Sequence, residues 1–442
     1  MKRSLLSTCE TAINISYYLL FSVTPLIVCP WTEELFEFPK LIFVYALTLI
    51  IGYVYLIKIT HSNRSGKKEK KNALWLPFTL YLLTVSLSTI FSIHPYTSLF
   101  GYYSRFHGSL LSLISYFILA YIFTSQFRGK DRKIKNMLKS LLTTGFLVSI
   151  YGIGQHFGID NSYWIQDSTL RVFATLGQPN WLAAWLLLLL PFSWLFFFST
   201  KKRGRNLLYA TLTLVLFTSF WFTYSLSGLL GLGVTVSVFL ILRSPKYFLA
   251  KWKKTLFLSL GYFSIILLNL GPLKERARKT IKHMTQKEAA YAAEYIPPTE
   301  RGDTLKIRKL VWQGAIDLWK STPKNIVLGT GPETFAYAFL AFRPQQLNNT
   351  SEWDFLYNRA HNEYIDILCE HGLLAFGAYT YLIIKFIHYA TKKKKPNASQ
   401  NLSSALVSGW VGLLVTNFFG FSVVPTALLF WLYPAICICV KN

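Results

Sequence analysis

Long apolar runs separated by short polar connections set the pattern of this chain. Runs close to the ~20 residues a helix needs to cross a ~30 Å hydrocarbon layer lie at about 13–28, 39–57, 74–92, 108–124, 137–156, 180–199 and 206–223. Five more follow near 228–242, 255–271, 364–390, 402–421 and 424–440. Because backbone polar groups must be satisfied internally in lipid, these runs predict an all-α polytopic membrane protein of about twelve transmembrane helices. The pair over 206–242, joined only by Tyr224-Ser225-Leu226-Ser227, reads either as two spans or as one long broken helix with its ends on opposite sides.

One connection breaks the pattern of short loops. From 272 to 360 the chain carries mixed charge, the pair Pro297-Pro298 and a helical stretch at 304–320. The chain therefore divides into helices one to nine (1–271), a large extracytoplasmic loop between helices 9 and 10 (272–360), and helices ten to twelve (361–442). A loop of that length can fold over the membrane surface and cover a site.

Charge orients the spans. Lys58–Asn72 holds six Lys/Arg, Ser125–Asn136 five, Thr200–Arg205 four, Arg243–Lys254 five and Thr391–Ala398 four, against only Glu69 and Asp131. The intervening connections differ: Cys29–Phe38 has three Glu and no Lys or Arg, Ser92–His107 has only Arg105, and Gly158–Gln178 only Arg171. By the positive-inside rule the basic set and both termini are cytoplasmic. Arg205 and Arg243 then face the same side, which selects two spans over 206–242.

The chain has 442 residues, 52% hydrophobic and 15% charged, with a formal net charge of +26. Such a surplus ordinarily points to nucleic acid, but here it sits in short turns along the chain, so membrane topology explains it and no nucleic-acid partner is expected. The lysines can also meet anionic lipid headgroups. A small-residue cleavage pattern is missing after Val28, so the first helix reads as uncleaved. Five cysteines, an odd number and mostly in apolar runs, give no disulfide framework. No paired Cys spacing and no H-E-x-x-H motif suggests a metal.

Within the long loop, Arg308-Lys-Leu-Val-Trp312-Gln-Gly-Ala-Ile-Asp-Leu-Trp319 reads as an amphipathic helix with Leu310, Val311, Ala315 and Leu318 or Trp319 near one side. It is stopped at Ser321-Thr-Pro323, and Gly329-Thr-Gly331 makes a tight turn. That turn is either a structural corner or a phosphate cradle without its usual Lys-Ser/Thr partner. The loop holds fourteen Lys/Arg against nine Asp/Glu, a basic excess that suits an anionic ligand.

The helix after the loop is where chemistry concentrates. Asn362, Asp366 and Glu370 fall at i, i+4 and i+8 and share a face, while Gly372 and Gly377 would let a neighbour come close. Ionisable groups at a membrane helix are costly and mark a working site. His361 stands at the helix start, where the positive end of the helix dipole favours a neutral imidazole able to accept a proton. The other seven histidines, His107 and His371 among them, read as interfacial or capping residues.

Ala360-His361-Asn362-Glu363-Tyr364 with Glu370-x-Gly372 and Gly377 resembles the signature of the O-antigen ligase and polymerase superfamily, the Wzy_C or WaaL-like membrane glycosyltransferases. Arg308-x3-Trp312 followed by Pro323 and Gly329-x-Gly331-x3-Phe335 resembles its outer-loop pattern. Arg171-x4-Leu176-Gly-Gln-Pro179-Asn180-Trp-Leu-Ala183 resembles its segment entering a middle helix, and Gly101-x3-Arg105-x2-Gly108 its earlier turn. These motifs run in the expected order over 101–377.

The resemblance implies a bacterial cytoplasmic (inner) membrane enzyme with an extracytoplasmic active site. It would move a glycan from a polyprenyl (undecaprenyl) pyrophosphate carrier to an acceptor hydroxyl, on a lipid A core or a growing polysaccharide, with inversion and with neither metal nor other cofactor. His361 would be the base. Arg308 first, then Arg171, Arg105 and Arg359, with Asn180 and Glu370, would bind pyrophosphate and glycan, since guanidinium forks match phosphate oxygens. Partners implied are the lipid-linked glycan, a glycan or lipid acceptor, membrane lipids and a chain-length regulator. One position departs from the family: a Ser-Arg pattern at the outer start of the eighth helix is replaced by Ser225-Leu226. Transfer to a protein hydroxyl stays open, as does an inactive scaffold. A transporter or flippase of lipid-linked saccharides is the alternative of another class, and it would call for charges along several helices and inverted repeats.

Overall fold

The computed structural model describes residues 2–62, 74–103, 105–271, 304–392 and 398–441. The lysine-rich stretches 63–73 and 393–397, and residues 272–303 with Pro297-Pro298 and His283, lie outside the described residues. The order is α1 (Lys2–Ser22), α2 (Glu37–His61), α3 (Trp75–Ile90), short α4 (Pro95–Phe100), α5 (Leu110–Phe127), α6 (Asp131–His156), α7 (Pro179–Ser199), α8 (Arg203–Phe222) and α9 (Leu226–Arg243). Then come short α10 (Pro245–Leu249), α11 (Trp252–Leu268), α12 (Thr304–Lys320), α13 (Pro323–Leu328), α14 (Phe335–Ala338), α15 (Glu363–Thr391), α16 (Ala398–Asn417) and α17 (Val424–Lys441).

Each of the twelve apolar runs falls on a helix, and among the described residues six helices, α2, α5, α6, α7, α9 and α15, are long and apolar enough to cross a membrane. The protein is a polytopic α-helical membrane protein. The first run needs correcting: its helix begins at Lys2 and ends at Ser22, because mid-helix Glu10 is paired with Lys58, the Thr11 hydroxyl donates to the Ser7 carbonyl, and Pro25 enters a separate turn over Thr24–Leu26. The 206–242 pair is two helices, broken at Thr223–Ser225, where Tyr224 takes φ +44° and Ser225 accepts the Gly228 N–H as an N-cap.

Helix α7 is the axis of the bundle. It is apolar all round, and 89% of its spanning window is buried, against 22% for α2 and for α9. A helix without a polar face belongs in the interior, and α7 packs among α8, α9, α16 and α17. Helices α9 and α16 cross where Gly231 meets Gly412, a Cβ on the first standing 3.0 Å from the backbone oxygen of the second. By contrast, Leu49, Ile241 and Leu268 on α2, α9 and α11 lie exposed, as lipid-facing side chains do.

Among the described residues, the basic connections gather at one end. Lys58 binds Glu10 at 2.7 Å and Gln126 at 2.7 Å, Lys254 reaches the Phe197 and Thr200 carbonyls, and Arg243 pairs with Asn401. The opposite end carries the segment 304–360, built on its own core of Ile307, Val311, Ala315, Phe335, Phe339, Leu347 and Tyr357. The expected face of α12 is present, with Val311, Ala315 and Leu318 buried, Ile307 added, and Leu310 and Trp319 at its edge. Pro323 does more than stop α12: it opens α13 as its first residue, with Thr322 capping the Asn325 N–H at 3.1 Å.

Candidate functional site

The turn before α15 fixes His361. Asn362 caps the helix, its side-chain oxygen accepting the N–H groups of Tyr364 (3.0 Å) and Ile365 (3.2 Å). Ala360, buried, donates its N–H to Asp366 Oδ1 at 2.6 Å and accepts from Trp312 Nε1 at 3.0 Å. Between them His361 adopts φ +57°, a left-handed conformation that surrounding bonds must hold. Its ring lies 5.5 Å from that of Phe421.

Two arginines from distant parts of the chain meet that ring. Arg105 arrives on the 101–109 turn, its guanidinium 5.0 Å from the Phe421 ring and 5.6 Å from Trp181. Arg308 comes from the first turns of α12. With His361 and Asn180 they line one cavity of about 110 Å³, whose lining contains no carboxylate. Burial, followed by the charges of Arg308, Arg105 and Arg359, pushes the His361 imidazole down from its ordinary 6.5 to about 3. Burial and these arginines therefore favour the neutral ring.

Arg171 stands at the cavity's edge. It donates through Nη2 to Asn180 Oδ1 at 3.0 Å and through Nε to the Thr223 carbonyl at 3.0 Å. Ser225 donates to the same Asn180 oxygen at 2.7 Å. The Arg171 guanidinium thus sits at the corner leading into α9.

Arg359 and Glu370 are placed differently. Arg359 donates to a Glu333 carboxylate oxygen and to the His107 carbonyl (3.1 Å), and stands 3.8 Å from Glu370. Both line a neighbouring cavity of about 70 Å³ rather than the one with His361. Glu370 accepts the Phe335 N–H at 2.9 Å. Arg359 is ion-paired with Glu333 and close to Glu370, whereas no carboxylate lines the first cavity; Glu333 and Glu37 act on Arg105, and Glu352 on Arg308, from outside it.

Glycine builds the scaffold beneath. Gly372 breaks α15 with φ +74° and ψ −179°, which frees the carbonyls above it. The Thr330 and Gly331 N–H groups fill them, bonding to Cys369 (3.0 Å) and Glu370 (2.8 Å), and Ser88 adds a hydroxyl to Glu370 at 3.0 Å. The Gly329-Thr-Gly331 turn is therefore a structural corner, since the Thr330 and Gly331 amides are taken by α15 and Gly329 bonds to Asn325. A Cβ on Gly372 would lie 2.4 Å from the Val327 oxygen; Gly377, expected to admit a neighbour, faces open space within 4 Å.

Residues 211–380 match the family model for O-antigen ligase, Wzy_C. That stretch is similar to the O-antigen ligase domain. No curated protein matches the sequence. The matched stretch contains Leu226, Arg308, Arg359, His361 and Glu370, while Arg105, Arg171 and Asn180 lie before it. The match covers less than half of the chain and makes that stretch similar to the O-antigen ligase family.

Several residues of the site carry no signal in the sequence. Phe421 and Trp181, which bracket Arg105, are aromatic residues in apolar surroundings. His107 and Glu333 are buried around Arg359, and only the fold brings residues 107, 333 and 359 together.

Proposed function

We propose that this protein transfers a glycan from a polyprenyl pyrophosphate carrier to an acceptor hydroxyl at the outer face of the bacterial cytoplasmic membrane, as a ligase or polymerase on a twelve-span topology with both termini inside. The observation that carries the reading is the convergence of Arg105, Arg308, His361 and Asn180 on one cavity without carboxylates. A cationic, partly dry cavity favours a pyrophosphate over a neutral sugar, and preorganised guanidinium groups stabilise the charge that grows on the leaving oxygen. Arg171, anchored on Asn180, supplies the charge that Leu226 does not.

The chemistry follows from these groups. Neutral His361 accepts the acceptor hydroxyl's proton as the new C–O bond forms on the face opposite the departing pyrophosphate, so the sugar carbon inverts. The bond to the pyrophosphate oxygen breaks with its electron pair left on that oxygen, and Arg308, Arg105 and Arg171 stabilise the charge that results. Phosphate charge is met by arginine, so the step calls on no divalent ion. Arg359 and Glu370, engaged with each other and with Glu333 and the Phe335 N–H, hold the turn beneath. The positive-inside rule puts the basic end of the bundle in the cytoplasm and the cavity outside.

The test is turnover by the purified protein in liposomes supplied with polyprenyl pyrophosphate-linked glycan, a chelator and candidate acceptors. Release of polyprenyl pyrophosphate with glycan joined to acceptor, lost in His361→Ala, is the expected result, and product length separates ligase from polymerase. Movement of intact lipid-linked glycan between leaflets without turnover would replace this reading with transport.

A further inference from the structure

The peptide of Ala360 is held from both sides by side chains that do not line the His361 cavity. Its N–H is bonded to Asp366 Oδ1 at 2.6 Å and its carbonyl to Trp312 Nε1 at 3.0 Å. Asp366 lies in the first turn of α15 and is 2% exposed. Trp312 lies one turn beyond Arg308 on α12, at the i+4 spacing that shares a face, and its ring meets Phe418 edge-on at 5.7 Å. Phe418 belongs to the same 418–422 loop as Phe421, against which His361 packs.

We infer that Trp312 and Asp366 are positioning residues, a clamp on the Ala360 peptide that sets the His361 ring in register with Arg308. The inference rests on His361 acting as the base. A residue at φ +57° relaxes readily to negative φ unless its neighbours are fixed, and rotation there would swing the imidazole away from the cavity. With the clamp closed, the group that takes the proton and a group that binds the leaving pyrophosphate are tied to one helix, α12, through a single hydrogen bond. Neither Trp312 nor Asp366 lines the cavity shared by Arg308 and His361, so loss of the clamp affects chemistry more than donor binding.

The experiment compares four variants with wild type in liposomes, using undecaprenyl pyrophosphate-linked glycan as donor and reading kcat and KM by release of undecaprenyl pyrophosphate. Trp312→Phe keeps the ring and removes the N–H; Asp366→Ala removes the acceptor; Asp366→Asn keeps an oxygen that accepts the Ala360 N–H. Misplacing a catalytic group by about 1 Å costs roughly a hundredfold. Trp312→Phe and Asp366→Ala should therefore lose kcat on that order with donor KM little changed, while Asp366→Asn stays near wild type. Wild-type kcat in Trp312→Phe, or equal loss in Asp366→Asn and Asp366→Ala, overturns the clamp. If Asp366→Ala does not fold, Trp312→Phe decides alone. His361→Ala separates the two layers: turnover in it removes the base assignment itself, whereas its inactivity beside a fully active Trp312→Phe removes only the clamp.

Discussion

Removing the Arg308 charge should move the acid limb of the pH–rate profile upward. Burial is the largest cause of the low imidazole pKa, and Arg308 is the first of the neighbouring charges. A fall from 6.5 to about 3 corresponds to roughly 5 kcal/mol in favour of the neutral ring. An ordinary imidazole would be only about 3% neutral at about pH 5, a loss near thirtyfold, whereas His361 in the free enzyme stays almost wholly neutral. Wild-type kcat/KM should therefore stay within about twofold between about pH 7.5 and pH 5 as far as His361 is concerned. In Arg308→Gln the acid limb should rise by on the order of one pH unit, beyond the overall loss from weaker donor binding. The donor's own negative charge should offset the arginines, so the limb in kcat should lie above that in kcat/KM. The assay is undecaprenyl pyrophosphate release across pH in liposomes. A wild-type kcat/KM limb centred near the ordinary imidazole value, or one that Arg308→Gln leaves in place, would refute the electrostatic argument. The same depression has a stability sign: the unfolded chain takes up a proton on His361 below about 6.5 that the folded protein refuses until about 3, so resistance to thermal unfolding should fall as pH drops through that window.

His361→Ala should leave membrane insertion and protein level intact and abolish transfer, measured by immunoblot beside the liposome assay. Arg308→Ala should lower donor affinity by about ten- to a hundredfold, the range for a lost charged hydrogen bond, with Arg171→Ala giving a smaller loss because Asn180 and Ser225 remain paired; isothermal titration with the donor reads both. Gly372→Ala should cost about 2–4 kcal/mol, since its Cβ meets the Val327 oxygen at 2.4 Å in a φ +74° backbone, whereas Gly377→Ala, with open space around it, should be neutral. Melting in detergent distinguishes them, and equal melting temperatures would remove the argument for the docked corner.

Apolar periodicity placed a helix on each of the twelve runs, because in lipid a backbone has few other ways to satisfy its polar groups. Local chemistry also marked the helix over 304–320 and the His361-Asn362 start of α15, each encoded within a few residues by a cap or a face, whereas the split within 206–242 was selected by the charges of Arg205 and Arg243. Which predicted cations share a cavity was decided by the tertiary structure. Arg105 comes from the 101–109 turn, Arg308 from α12 and His361 from the turn before α15, and the aromatic rings that seat Arg105, Trp181 and Phe421, are indistinguishable in sequence from lipid-facing residues. Arg359 was eligible by residue type, behind Arg308, yet packing gave it Glu333 and Glu370 as partners. A charge's availability for substrate depends on what the fold brings within a few ångströms of it, and that distance is set by long-range packing rather than by neighbours in the chain.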